Sequence, residues 1–190
     1  MPQANATYHH GDLRATCLSA ALELLEEEGE TALSLRAVAR RAGVSPAAPY
    51  RHYEDREALV SAVAAVGYRE LAGRLAAAHP APSTPAQLAS VAVAYVQFAL
   101  EQPALFRIMF GEPCDRDNEE RVAATVAVSL YLHEIVARCF PQSDPEALAP
   151  AIWALVHGLA FLYLDGKLDA ATPAALVDRV TASIHSLLGL

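Results

Sequence analysis

The chain has 190 residues, with 14 Lys+Arg against 22 Asp+Glu, a formal net charge of −8 and a mean hydropathy of +0.22. At that length one or two domains with a sizeable core are expected, and a 54% hydrophobic content excludes a disordered chain. The acidic balance excludes a wholly basic nucleic-acid binder, though not a basic patch on an acidic body.

Ala occupies 40 positions while Val, Ile and Thr are spread thinly, which favours helix over sheet. Residues 1–8 read as a loose arm. From about His10 to Glu28 apolar residues recur at helical spacing (Leu13, Cys17, Ala21, Leu24), and Gly29 ends the run. Ser34 is placed to cap a short helix, Leu35–Ala42, stopped by Gly43. Ser45 caps the next, with Pro46 in its first turn. Glu54 and Asp55 precede a long helix, Arg56–Ala78. The run His79-Pro-Ala-Pro-Ser-Thr-Pro85 cannot continue it and marks a domain boundary, dividing the chain into 9–78 and 79–190. Further helical patterns lie near Pro85–Glu101, Pro103–Phe110, Asn118–Phe140, Pro145–Leu164 and Pro173–Leu188. No alternating pattern long enough for a sheet is present, so the expected fold is all-α.

Ala147–Leu164 is an uncharged run at the lower length limit of a membrane span. It contains Pro150, His157 and Gly158, and its near flanks are acidic (Asp144, Glu146, Asp165), the opposite of the basic flank a spanning helix carries on its cytoplasmic side. A helix buried all round, or covered on its outer face by a second subunit, is the expected reading, with no membrane partner. Cys17, Cys114 and Cys139 form no CxxC pair, and no basic stretch followed by an apolar run opens the chain, so a reducing cytoplasm is the natural compartment. His9-His10 lacks a third ligand at workable spacing and the acidic run after Cys114 lacks the spacing of a calcium loop, so neither metal nor cofactor is expected.

The stretch from Leu35 to Tyr53 carries the functional signal. Two short helices meet at a turn in which Ala39 is small, Gly43 supplies positive φ, Val44 plugs the corner and Ser45 opens the second helix. This is the specification of a helix-turn-helix, whose second helix enters the DNA major groove. Charge agrees: residues 31–56 carry a net charge of +3 on a chain that is acidic beyond residue 80. Pro49 removes the N–H that would bond to the Ser45 carbonyl, so the second helix, around Ala47–Tyr53, is expected to start late or bend.

Residues 9–78 resemble the N-terminal domain of the tetracycline-repressor (TetR) family of transcriptional regulators, on Leu35-x-x-Val38-Ala39-x-x-Ala42-Gly43-Val44-Ser45, Tyr50-x-x-Tyr53 and Arg56-Glu57-x-Leu59. The resemblance implies that Tyr50 and His52 contact DNA, that Arg56 and Ser34 meet phosphates, and that Tyr53 replaces a buried Phe. The implied DNA-facing set is Ser34, Arg36, Ser45, Pro46, Ala47, Ala48, Tyr50, Arg51, His52 and Arg56. Ala47 and Ala48 offer thymine methyls a contact but no hydrogen bond.

Trp153-x-x-x-His157-Gly158-Leu159, with the opening Tyr8–Arg14 and Leu105–Phe110, resembles a TetR subgroup with a Trp-His-Gly signature. This implies a small-molecule sensor that dimerises through its last two long helices, and hence a repressor released from palindromic operator DNA by a small apolar ligand. Trp153 and His157 share a helix face, where either a pocket wall or an ordinary core pair fits. Tyr95, Phe98, Phe106, Met109, Phe110 and Tyr131 would line the same cavity or fill ordinary core. The rival classes are an enzyme, for which no nucleophile elbow, phosphate loop or zinc-protease motif is found, and an architectural DNA binder, which has no need of an acidic, apolar second half.

Overall fold

The computed structural model describes residues 12–111, 118–169 and 171–188. The arm at 1–8, His9-His10 and Cys114 lie outside the described residues. Among the described residues the structure is all helical: α1 (Leu13–Glu28), α2 (Leu35–Arg41), α3 (Arg56–Ala78), α4 (Pro85–Glu101), α5 (Pro103–Gly111), α6 (Glu119–Cys139), α7 (Pro145–Leu164) and α8 (Pro173–Leu188).

Local chemistry sets most of the ends. Asp12, Ser34 and Asp55 each accept a hydrogen bond from the backbone N–H three residues on, at 3.0, 3.2 and 2.9 Å, which satisfies one of the free donors of each first turn. Thr84 and Gln87 form a reciprocal capping box at the start of α4. α2 stops where Gly43 takes φ +67°, which lets the Val44 N–H reach back to the Ala39 carbonyl at 3.0 Å.

α1 and α2 pack on the first turns of α3, burying Cys17, Leu24, Leu35, Val38, Tyr53 and Leu59. α3 runs without a break for 23 residues, about 35 Å, from that cluster into the second half of the chain, where α4, α5 and α6 lie against it. α4 is the central element there, with α7 and α8 on its other side. A bend of 104° separates α4 from α5 and turns α5 back onto α3, where the Tyr68 hydroxyl donates to the Met109 carbonyl at 2.8 Å.

α6 and α7 are long and apolar enough to cross a membrane by length and composition. Of the two expectations for α7, burial all round within one chain is not what is seen, which leaves the alternative of an outer face covered by a second subunit: Ala147, Ala151, Ala154, Gly158 and Leu162 form an exposed small and apolar stripe along it. An alanine Cβ placed at Gly158 would meet nothing within 4 Å in this chain.

Candidate nucleic-acid interface and effector cavity

Between α2 and α3 the structure departs from the expected second helix. Ser45 caps no helix. The segment makes successive tight turns and a single 3-10 turn at Pro49–Arg51. The cause is Pro49. With no N–H to give the Ser45 carbonyl, that carbonyl accepts from the Ala48 N–H at 2.9 Å instead. The same i to i+3 pattern follows in the Arg51 N–H to the Ala48 carbonyl (3.2 Å) and the His52 N–H to the Pro49 carbonyl (3.0 Å). Buried Pro49 and Tyr53 pin the segment from below, and the Tyr53 hydroxyl donates to the Arg14 carbonyl at 3.2 Å.

The outward groups of this segment are Ser45, Pro46, Ala47, Arg51 and His52, with Tyr50 at 52% exposure; Ala48 is half-buried. On α2 beside them Arg36 and Arg40 are exposed, and neither they nor Arg51 has an ion-pair partner among the described residues. Ser34 is exposed, and its Oγ, while capping α2, keeps its O–H free to donate. Tyr50, Arg51, His52, Arg36 and Ser34 thus form one exposed surface of donors and positive charge, suited to phosphates and base edges.

Two of the motif's arginines also brace the unit. Arg41 meets Glu27 at 2.7 Å, Glu28 at 3.2 Å and Glu23 at 3.7 Å, bracing α2 on α1. Arg56 donates to the Leu33 carbonyl at 3.2 Å and to the Glu30 carbonyl and carboxylate at 3.4 and 3.3 Å. Its side chain, still 41% exposed, ties the start of α3 to the loop before α2.

In the second half, a small apolar cavity of about 30 Å³, partly enclosed and closed only by contrast with a more open hollow beside it, lies where the end of α3 meets α4, α6 and α7. α3 supplies Leu75, and α4 supplies Leu88, Val91, Ala92 and Tyr95. α6 adds Val128, Tyr131, Leu132 and Ile135, and α7 adds Ile152, Trp153 and Val156. A separate open hollow of about 170 Å³ is formed by Phe110, Pro150, Trp153, Ala154 and His157. The expected lining set is therefore divided. Tyr95, Tyr131 and Trp153 face the closed cavity, while Phe110, Trp153 and His157 shape the hollow. Phe98, Phe106 and Met109 line neither: each is at most 1% exposed and packs in the core. Phe106 stacks on Phe110 and Tyr95, and the ring of His157 lies against Phe110, Phe161 and Phe106 at centroid distances of 4.6, 4.9 and 5.7 Å.

The polar groups around these spaces are engaged with one another. The Trp153 Nε1–H donates to the Tyr95 hydroxyl oxygen at 3.2 Å, which lies 3.0 Å from His157 Nδ1. Burial among apolar rings pulls the His157 imidazole below its ordinary pKa and pushes the Tyr95 hydroxyl far up, so both stay neutral near pH 7. The Tyr131 hydroxyl reaches the Leu75 and His79 carbonyls at the last turn of α3, at 3.2 and 3.0 Å. The aliphatic lining was not singled out in the sequence. Its one signal is that Leu88, Val91, Ala92 and Tyr95 share a helix face, as do Val128, Tyr131, Leu132 and Ile135, and ordinary core residues have the same spacing.

Comparison with known proteins fits this geometry. Residues 88–184 match the family model described as "Tetracyclin repressor-like, C-terminal domain", and residues 18–63 match "Bacterial regulatory proteins, tetR family". The chain is 29% identical over 157 residues to the HTH-type transcriptional regulator BetI of Rhizobium meliloti (strain 1021), covering 77% of this chain and 75% of that protein. A solved structure of a protein of unknown function from Rhodococcus sp. RHA1 is 35% identical, with a TM-score of 0.79 over 94% of this chain and 96% of the other. A tetR-family bacterial regulatory protein from Rhodococcus RHA1 shares the fold, at TM-score 0.67 and 22% identity over 91% and 95% of the two chains. The C-terminal family model alone covers half the chain, and both family models and the BetI match are of regulators rather than enzymes: the chain belongs to the tetracycline-repressor family of DNA-binding transcriptional regulators.

Proposed function

We propose that the chain is a cytoplasmic repressor that grips a palindromic operator as a homodimer and lets go when a small apolar molecule enters the cavity between α3, α4, α6 and α7. Residues 9–78 act as the reading unit and 79–190 as the sensor and dimerisation unit. The observation that carries the reading is that the closed cavity abuts the end of α3, the one helix that runs continuously from sensor to DNA-facing segment. A molecule lodged there acts only by preferring one disposition of α3 over another, and a differential affinity of roughly 1–3 kcal/mol changes DNA binding about 5–150-fold. Tyr50, Arg51 and His52 read bases, while Ser34, Arg36 and Arg40 meet phosphates. The exposed stripe of α7 and the outward Val177 of α8 support a two-fold helical interface, since one reading unit covers too few base pairs to specify a site alone.

Sedimentation of the purified chain is expected to give about twice 20.2 kDa at micromolar protein. Selection from random duplexes is expected to return an inverted repeat whose affinity falls steeply with salt. A monodisperse monomer, or no selected duplex, would overturn the reading.

A further inference from the structure

Trp153 stands between two spaces. Its indole is part of the wall of the closed cavity and also of the open hollow beside Phe110, Pro150, Ala154 and His157. Neither space suffices for a ligand: about 30 Å³ holds roughly two waters, and the hollow is open to solvent. The indole is held by a single hydrogen bond, from Nε1–H to the Tyr95 oxygen at 3.2 Å. His157 Nδ1 lies 3.0 Å from the Tyr95 oxygen, and in the Nε2–H tautomer it accepts the Tyr95 proton. The Tyr95 oxygen is thus an acceptor beside the ligand space that is held by a movable group. The Tyr131 proton is spent on the Leu75 and His79 carbonyls, and none of the described residues lining either space is Asp, Glu, Lys or Arg.

We propose that cavity and hollow are two halves of one ligand site, that the Trp153 indole is its built-in occupant, and that the ligand is an uncharged aromatic molecule with a single O–H or N–H donor, which displaces the indole and takes its place on the Tyr95 oxygen. The proposal rests on the reading of the cavity as the effector site and adds the chemistry of its ligand. Shape follows from what is displaced: a flat ring leaves room for a flat ring beside Phe110, whose ring meets the Trp153 indole edge-on at 6.4 Å. Neutrality follows from the lining, because an ion entering it would lose its water and find no counter-charge. The donor follows from Tyr95: a hydrocarbon that moved the indole aside would leave a buried acceptor empty, and a molecule bearing O–H or N–H refills it.

The test uses phenol, toluene and benzoate as probes on the full-length chain, followed by calorimetry and by the emission of Trp153, the single tryptophan. Phenol and toluene are both expected to alter that emission, and benzoate to do neither that nor bind. Tyr95→Phe keeps the ring that packs on Phe106 and removes the acceptor, so the ratio of phenol affinity to toluene affinity is expected to fall about fivefold. Trp153→Phe removes the competing donor, so both probes are expected to bind about fivefold tighter with their ratio unchanged. A merely structural role for either residue would weaken both probes alike. An unchanged ratio in Tyr95→Phe, weaker binding in Trp153→Phe, silent Trp153 emission at saturation, or benzoate binding as well as phenol would each overturn the proposal while leaving an effector cavity in place. If neither phenol nor toluene binds the wild type or Trp153→Phe, the proposal and the cavity reading fall together.

Discussion

Replacing Gly67 with alanine tests how tightly the sensor is locked to the linking helix. A Cβ at Gly67 would lie 2.5 Å from Met109 Sδ, 2.8 Å from Met109 Cγ and 3.0 Å from Leu105 Cγ, closer than real contacts allow. Met109 and Leu105 are themselves 1% and 4% exposed, so neither has free space to retreat into. Overpacking a filled core costs about 1–3 kcal/mol, against which alanine's helix propensity recovers about 1 kcal/mol. The net loss is about 0–2 kcal/mol, or up to roughly 8 °C in Tm at this chain length. Gly73 supplies the control in the same helix. It is exposed, and an added Cβ there meets nothing within 4 Å, so Gly73→Ala is expected to raise stability by up to about 1 kcal/mol. Urea denaturation of the two variants is expected to move the midpoint in opposite directions, and adding Met109→Ala to Gly67→Ala is expected to cost less than the two changes summed. Equal midpoints for Gly67→Ala and Gly73→Ala would refute the claim that α5 is seated on α3 through this glycine.

Three further outcomes are expected. Pro49→Leu returns an N–H to the Ser45 carbonyl and should turn the tight turns before α3 into an α-helical turn. The gain of up to about 3 kcal/mol for removing an interior proline is partly offset by a looser unfolded chain, and unchanged chemical shifts over residues 45–52 would contradict it. Tyr131→Phe takes the hydroxyl from the His79 carbonyl and leaves the Leu75 carbonyl only the His79 N–H, and should cost about 1 kcal/mol in denaturant titration; no measurable loss would mean water replaces the hydroxyl there. His157 has a folded pKa held below its ordinary 6.5 by burial, so the unfolded chain takes up its proton first as pH falls. Its contribution to stability is full above about pH 6.5 and is lost below it, down through the folded pKa; His157→Gln should flatten that part of the stability–pH curve, and an unaltered slope would place the titration elsewhere.

Several helix ends were legible where one residue decides them. Ser34 caps, and Gly29 and Gly43 reverse, because each acts on backbone within a few positions of itself, whereas Ser45, read the same way, caps no helix. Pro49 was legible as a defect, but its full consequence was not. A late or bent helix was expected, and the segment before α3 is so short that one lost bond leaves only turns. What long side chains do was not legible. Arg41 and Arg56 sit in a motif whose charge reads as DNA-facing, yet their guanidinium groups are held by carboxylates and carbonyls on α1 and the following loop, and those approach only in three dimensions. The aromatic set divided for a similar reason. Phe98 and Phe106 face the meeting point of α4 and α5, whereas Tyr95 and Trp153 face the gap where α6 stands off, and helical spacing is the same in both cases.

α6 shows how the two halves of the chain are joined besides α3. Its middle walls the cavity with Val128, Tyr131 and Ile135, and Tyr131 grips the last turn of α3. Its first turn reaches the DNA-facing half twice: Glu120 meets Arg14 of α1 at 2.9 Å, and buried Arg121 donates to Ser61 of α3 at 3.4 Å. A 21-residue helix of about 30 Å held at both ends behaves as a stiff lever, so on the proposed function a ligand that widened the cavity would tilt α6 against α3 and strain the far contacts. The magnitudes say which contact transmits. The Arg14–Glu120 pair is nearly half exposed on both sides and is worth about 0–1 kcal/mol, short of the roughly 1–3 kcal/mol a repressor's switch requires. The Arg14 carbonyl, however, holds the Tyr53 hydroxyl beneath the reading segment, and the Arg121–Ser61 contact is buried, where a broken hydrogen bond to a charged group costs more than at the surface. On the proposed function, coupling would therefore run through the buried α3–α6 packing rather than through the surface ion pair.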